Sequence, residues 1–197
     1  MPEVPRERTP IAMPAAALEL DIALRGAGVA DLHQDMAALL LAQIAFETAS
    51  GQACDCHNIG NISTSDKTSR DFFRPAWFEV TDASSPKLRE LHAAMLKGNA
   101  PRAFVAYKDF FSGFDDYVRE LRVQFPTIIS AARTGDAQAV ADAIKSSHYT
   151  PDAPSSLGGT LDSLRRGFLA KGLFASLPKG QSAPFEPVPA SSCFLES

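Results

Sequence analysis

The sequence predicts a mostly α domain that carries a small β-element and two extended ends. Apolar residues recur at helical spacing in successive segments bounded by capping residues, glycine or proline. One stretch, residues 52–82, abandons that spacing for turn residues followed by a run of β-formers. Prolines gather at both ends, with Pro2, Pro5 and Pro10 at one and Pro178, Pro184, Pro187 and Pro189 at the other. A chain of 197 residues suits one domain of ordinary size, or two very small ones. It can bury a substantial core without disulfides or metals.

Taken in order, residues 1–13 read as an extended tail. Pro14 then stands at a first helical turn, where proline is tolerated, and opens a short apolar helix over 15–25 that Gly26 and Gly28 stop. Asp31 is the expected N-cap of a second helix over 32–50, the most strongly patterned of the chain, with Gly51 at its C′ position. CDCHNIGNISTSDKTSRDFF is turn-rich and RPAWFEVT is rich in β-formers, so 52–82 should hold a loop and a small, irregular β-element. Ser85-Pro86 opens a helix that Gly98 closes, and 102–107 should be extended. Ser112 is the expected cap of an amphipathic helix running to Phe125 and ended by Pro126. Two shorter helices follow, over 127–133 and 136–146. HYTPDAP interrupts the pattern before a last helix over 157–177. The domain is therefore expected over 14–177, between a tail at 1–13 and a proline-rich tail at 178–197. The chain has no internal repeat and no low-complexity block.

Composition excludes several classes of function. Lys and Arg total 19 against 23 Asp and Glu, a formal net charge of −4. With no Lys/Arg run, the chain lacks the positive surface that non-specific nucleic-acid binding requires. No apolar stretch approaches the roughly 20 residues that span a bilayer. The opening MPEVPRERTPIAMPAAALEL has no basic region followed by an apolar core, so it does not read as a secretory signal. The odd cysteine count (Cys54, Cys56 and Cys193) suits synthesis in a reducing cytosol.

Glu47 is the most informative residue. On a helical wheel, Met36, Leu40 and Gln43 fall within about 40° of it, which assigns the carboxylate to the inward face. It also falls in the last turn of the second helix, at the negative end of the helix dipole. Desolvation and the dipole both favour the protonated carboxyl, and a carboxyl held protonated near neutral pH can act as a general acid. The competing reading is structural, with Glu47 turned to water or paired with Arg70 or Arg102.

The surrounding sequence is LLLAQIAFETASG followed by HNIGNIS. It resembles the lysozyme-like superfamily of peptidoglycan glycosidases, nearest the flagellar and autolysin-type glucosaminidase branch. The family pattern A-Q-x-A-x-E-(T/S)-x-x-G is met by Ala42, Gln43, Ala45, Glu47, Thr48 and Gly51, and its Asn/Gly loop by Asn58, Gly60 and Asn61. FVAYKDFFSGFDDYVREL matches the family's F-R-A-Y and aromatic helix. SHYTPD loosely matches its late tyrosine motif, with proline and aspartate interchanged. The resemblance covers residues 39–152.

The resemblance implies a lysozyme-like fold and cleavage of peptidoglycan glycan strands without metal or organic cofactor. Glu47 is then the general acid. Asn58, Gly60 and Asn61 shape the cleft floor, with the Asn amides free for sugar groups, and Tyr149 stands near the reacting sugar. Read from the residues alone, the Asn/Gly loop is equally a turn needing left-handed backbone, and Tyr149 a half-buried aromatic with its hydroxyl in water. Phe104 and Tyr107 would sooner pack the core than form sugar platforms, although Tyr107 stays a binding candidate. Glycosidic hydrolysis usually needs a second group, a carboxylate or the substrate's own acetamide. Glu79 in WFEVT holds the comparable place in the family, with Asp66, Asp71 and Asp82 behind it.

Two alternatives stay open. A lytic transglycosylase would close an anhydro ring instead of adding water. An inactive scaffold is suggested by Ala49-Ser50-Gly51, which departs from the family's usual Trp/Gly residues after the glutamate. Action at the cell wall or periplasm by a chain without a secretory signal would need a phage particle, a holin-dependent lysis system or a secretion machine. The extended termini would then dock on the virion or secretion apparatus.

Other constellations carry less. Cys54-Asp55-Cys56-His57 lacks the second, separated Cys/His pair of a structural zinc site, so no metal is expected. A Cys54–Cys56 disulfide would close a cramped ring. No local signature supports a cysteine nucleophile, and Gly158-Gly159 has neither the GK[ST] sequence nor the preceding strand of a phosphate loop. Asp115 and Asp116 should form a solvated helix face.

Overall fold

A computed structural model describes residues 3–64, 70–75, 86, 89, 90, 93, 103–150 and 153–180. Within them the chain is mostly helical with a three-stranded antiparallel sheet. The elements are α1 (Met13–Gly26), α2 (Gln34–Glu47), β1 (Ser63–Thr64), β2 (Phe72–Phe73) and β3 (Ala103–Val105), followed by α3 (Phe110–Val123), α4 (Pro126–Arg133), α5 (Ala137–Ser146) and α6 (Leu157–Ala170). Pro86, Arg89, Glu90 and Ala93 are also helical, where Ser85-Pro86 predicts a helix. The WFEVT segment with Glu79 lies outside the described residues, as do Asp66, Asp82, Arg102 and residues 181–197.

α2 is the axis of the domain. Every residue from 36 to 45 is buried, and a helix apolar on all sides belongs in the middle of a core. α1, α4 and α6 pack around it, α5 packs against α4 and α6, and α3 lies against α1 and α4. The wheel therefore does not select a face for Glu47. What exposes the carboxylate is its position at the C-terminal end, where the buried helix reaches the surface.

The ends of α2 differ from expectation. Asp31 is not the cap: it takes a left-handed backbone with φ 57°. His33 caps instead, its Nδ1 accepting from Met36 N at 3.3 Å while Nε2 contacts the Arg133 carbonyl at 2.9 Å. The helix stops at Glu47, not at residue 50, because Ala49, Ser50 and Gly51 all have positive φ. Thr48 secures this exit: its Oγ1 donates to the Ile44 carbonyl at 2.7 Å and accepts from Gly51 N at 3.0 Å. Gly51 is obligatory, since a Cβ there would stand 2.0 Å from the Ile11 carbonyl oxygen.

The N-terminal segment is extended, as expected, but it is docked on the domain. Val4 N donates to Phe72 O, Cys56 N to Glu7 O, Thr9 N to Cys54 O and Ile11 N to Gly51 O, all within 2.8–3.1 Å. Ile11 joins the core. At the other end, Phe174 and Leu177 are buried, and Gln34 donates from its backbone to Pro178 O and from its side chain to Leu177 O. Residues 178–180 thus close over the start of α2.

Two more helix boundaries move. α3 starts at Phe110 because Asp109, not Ser112, is the cap, its carboxylate accepting from Ser112 N at 2.8 Å. α6 stops at Ala170 instead of 177, with Gly172 left-handed just beyond. α5 starts where Asp136 predicts, capped by that side chain.

Candidate active site

A cleft opens at the C-terminal end of α2, lined by Glu47, Gly60, Asn61, Ile62, Ser63, Glu120, Phe125, Tyr149 and Thr150. It is open to solvent, with a cavity volume of about 130 Å³, so it is an open cleft and not an enclosed small-molecule pocket of ~300–1,000 Å³. Glu47, half-buried, projects into it from the last residue of α2. Its Oε1 accepts from Thr150 Oγ1 at 2.8 Å and its Oε2 from Asn61 Nδ2 at 3.1 Å. Both donors are neutral, and among the described residues no cation pairs with this carboxylate. Arg70, one suggested partner, instead donates to Asp116 at 2.6 Å.

The loop between α2 and β1 is built around Asn58. Its buried amide donates to Ile62 O at 2.9 Å and Val105 O at 3.0 Å, while Oδ1 accepts from Ile62 N at 2.8 Å. Asn58 therefore shapes the loop as expected, but its amide is spent inside the protein and is not free for a sugar. Gly60 sits where a Cβ would meet the Tyr117 ring at 2.7 Å, so the loop lies closer to that buried ring than any side chain would allow. Asn61, with φ 49°, turns its amide back onto Glu47.

Tyr149 forms the opposite wall. Its hydroxyl donates to Gly60 O at 2.9 Å, and its ring meets Phe125 edge-on at 4.8 Å between centroids. Burial first, and then the Glu47 carboxylate, push its phenol well above the ordinary tyrosine value, so the hydroxyl stays protonated and acts as a donor. The bland alternative, a hydroxyl in water, does not describe it.

Glu120 was not anticipated by sequence. α3 presents it, half-buried, into the same cleft as Glu47. The signal lay in FDDYVREL, where Phe114, Tyr117 and Leu121 are buried and Glu120 follows Tyr117 by one turn. Thr150, which donates to Glu47, carries no sequence signal beyond its place next to Tyr149.

Tyr107 lies outside this cleft. Its hydroxyl donates to Asp116 and receives Arg70 Nη2 at 3.4 Å, and Arg70 also lies 5.5 Å from its ring centroid. Burial pushes its phenol up to about 12. Asp116 is buried, not part of a solvated face, and Arg70, Arg119 and Tyr107 all converge on it. Asp115 alone is exposed. Asp71 does not line the cleft; its carbonyl receives Ala106 N at 2.9 Å.

Cys54 and Cys56 are buried free thiols. Cys54 accepts from Thr9 Oγ1 at 3.8 Å and Cys56 from Glu7 N at 3.3 Å, so both help seat the N-terminal strand. Burial pushes the Cys54 thiol up to about 11 and raises that of Cys56, which makes both poor nucleophiles.

A helical domain arranged around a buried central helix that ends in a cleft glutamate, with a small antiparallel sheet alongside, defines the lysozyme-like class of fold. Among solved structures, the chain is similar to a peptidoglycan hydrolase from Sphingomonas sp. A1 (TM-score 0.53, 19% identity, covering 90% of this chain and 97% of that one). It is also similar to the glycoside hydrolase domain of FlgJ from Salmonella typhimurium (TM-score 0.52, 18% identity, 83% and 91% covered). No family model and no curated protein matches. The fold is thus the one expected from the flagellar and autolysin-type resemblance.

Proposed function

We propose that this chain is a glycoside hydrolase that cuts the glycan strand of bacterial peptidoglycan, of N-acetylglucosaminidase or muramidase type. The observation that carries the reading is Glu47. A carboxylate at the open end of a wholly buried helix, held at each oxygen by a neutral donor and facing a cleft, is built for proton exchange with a ligand. The likeness of the fold to peptidoglycan hydrolases supports the substrate class. Glu47 protonates the leaving glycosidic oxygen. The Thr150 hydroxyl can accept as well as donate, so it accommodates both protonation states of its partner during turnover. Asn61 fixes the second oxygen, and Tyr149 holds the Gly60 carbonyl that shapes the floor.

Stabilisation of the oxocarbenium-like transition state falls to a second carboxylate or to the substrate acetamide. Glu120, which lines the same cleft, is the candidate that the described residues offer, and Glu79, outside them, is the other. Neither a metal nor an organic cofactor enters this scheme. The open cleft favours an enzyme over an inactive scaffold, which would have sealed Glu47 beneath Phe or Leu side chains. Action at the cell wall follows from the substrate. The N-terminal segment is committed to its own domain, so docking on a virion or secretion apparatus would fall to residues beyond 180.

The test is to incubate the protein and its Glu47→Gln and Glu120→Gln variants with peptidoglycan sacculi and identify released fragments by mass spectrometry. Loss of the general acid should lower the rate by roughly 10²–10⁴-fold. Fragment ends distinguish reducing N-acetylglucosamine, reducing N-acetylmuramic acid and the anhydro ring of a transglycosylase. Equal release by wild type and Glu47→Gln would refute the assignment.

A further inference from the structure

A second hollow adjoins the cleft on the far side of Asn61, which lines both. Arg6 and Arg8 from the N-terminal strand, Asp55, and the aromatic pair Phe73 and Phe104 also line it. Phe104 is half-buried and stacks on Phe73 with centroids 5.9 Å apart and planes at 27°, a flat apolar surface. Arg8 Nε pairs with Asp55 at 2.8 Å and Arg6 Nη1 with the same carboxylate at 3.4 Å. Two guanidiniums against one carboxylate leave an excess positive charge among the described residues of the hollow. Each guanidinium has five N–H donors. Arg6 spends one on Asp55 Oδ2 and Arg8 spends one, from Nη1, on Gln52 O, while Arg8 Nε faces Asp55 Oδ1 as an ion pair without hydrogen-bond geometry. The backbone bonds of Glu7 and Thr9 flank Arg8 and hold both arginines on an ordered strand.

This arrangement fits a particular repeat of the proposed substrate. Peptidoglycan strands alternate a neutral N-acetylglucosamine with N-acetylmuramic acid, whose lactyl side chain ends in a carboxylate or carries the acidic peptide stem. A flat aromatic surface accommodates the C–H face of a pyranose, and guanidinium matches carboxylate geometry. The geometry points to an acidic-sugar subsite: the muramic acid ring lies over Phe104 with its side-chain carboxylate on Arg6 and Arg8, while the neighbouring neutral sugar occupies the Glu47 cleft. The inference rests on the glycan-strand reading above and adds to it a charge-based discrimination between peptidoglycan and chitin-like strands.

Binding is measured by calorimetry in the full chain carrying Glu47→Gln, so that turnover does not intervene. The probes are chitotetraose, stem-free oligomers of alternating N-acetylglucosamine and N-acetylmuramic acid, and the same oligomers with peptide stems. Arg6→Gln with Arg8→Gln should weaken binding of a muramic-acid probe by at least about tenfold, through loss of the charge-assisted contacts to its carboxylate, and leave chitotetraose unchanged. Whichever muramic-acid probe responds tells whether the lactyl or the stem carboxylate is held. Asp55→Asn also removes both ion pairs but keeps the cations, so it should bind the acidic probe as tightly or more tightly. An equal loss for chitotetraose, or a loss in Asp55→Asn matching that of the arginine variants, would overturn the subsite and leave the cleavage reading standing. If no probe binds the parent chain and the wild type releases nothing from sacculi, both readings fall together.

Discussion

Truncating Asn58 to alanine should loosen the floor of the cleft without touching Glu47. Three hydrogen bonds disappear, two from Nδ2 and one to Oδ1. The Ile62 carbonyl keeps the Val105 amide at 3.0 Å, whereas the buried Ile62 amide loses the partner that Oδ1 supplies. Two lost bonds at about 0.5–1.5 kcal/mol each and one orphaned buried donor at about 1–3 kcal/mol give roughly 3–4 kcal/mol. For a domain of this size that corresponds to a fall in Tm of roughly 10 °C. Urea titration should show a lower midpoint at unchanged slope, and cleavage of sacculi should fall as Asn61 loses its fixed approach to Glu47. Asn58→Asp sharpens the test. It keeps the acceptor for Ile62 N but sets a carboxylate oxygen against two carbonyls, so it should be at least as damaging at neutral pH. A change below about 0.5 kcal/mol in Asn58→Ala, the range of ordinary surface substitutions, would refute the role assigned to this side chain.

Two other outcomes follow from the seating of the N-terminal strand. Cys54 has its pKa raised from 9.0 to about 11, chiefly by burial, so the folded state holds the thiol proton more tightly than the unfolded chain. The associated stability is present below pH 9 and is lost as pH rises towards 11, by up to about 2 kcal/mol; denaturant titrations of Cys54→Ala should show a flatter decline across that window, and parallel curves would refute it. Gly51→Ala must accommodate φ 82° and a Cβ 2.0 Å from Ile11 O, at about 2–3 kcal/mol. Hydrogen exchange should then show lost protection at the Thr9 and Ile11 amides, and unchanged protection there would argue against the close approach.

What the sequence disclosed was mostly what local chemistry decides. The helix expected from Asp136 starts there, capped by that side chain, and the amphipathic helix stops short of Pro126, because a cap or a proline acts within one turn. That Pro126 also opens α4 is not part of the sequence reading. Sequence does not separate Asp109 from Ser112 as the cap of α3, since both stand before the same apolar face and it is the extended backbone of Asp109 that decides. Glu47 was found by the wheel for a reason that does not hold, because α2 is buried all round and its end, not its face, exposes the carboxylate. Asp116 looks solvated in sequence because one of the cations that neutralise it, Arg70, lies 46 positions away. Glu120 went unread for the same reason: nothing local distinguishes a glutamate that meets a cleft made by other segments. Asn58 carried the right composition for a cleft loop, but composition does not say whether an amide points out to a ligand or in to Ile62 and Val105.

The docking of the first residues onto the segment after α2 also orders events in time. Thr9 and Cys54 are 45 positions apart, so the strand leaves the ribosome well before the backbone it pairs with. At about 5–20 residues per second, several seconds separate the two during synthesis. Through that interval Arg6, Arg8 and Ile11 belong to an unpaired strand, and α1 and α2 must lay down the surface that receives it. The proposed acidic-sugar subsite would therefore be completed by a strand made before the glutamate helix and fastened in place only after that helix exists.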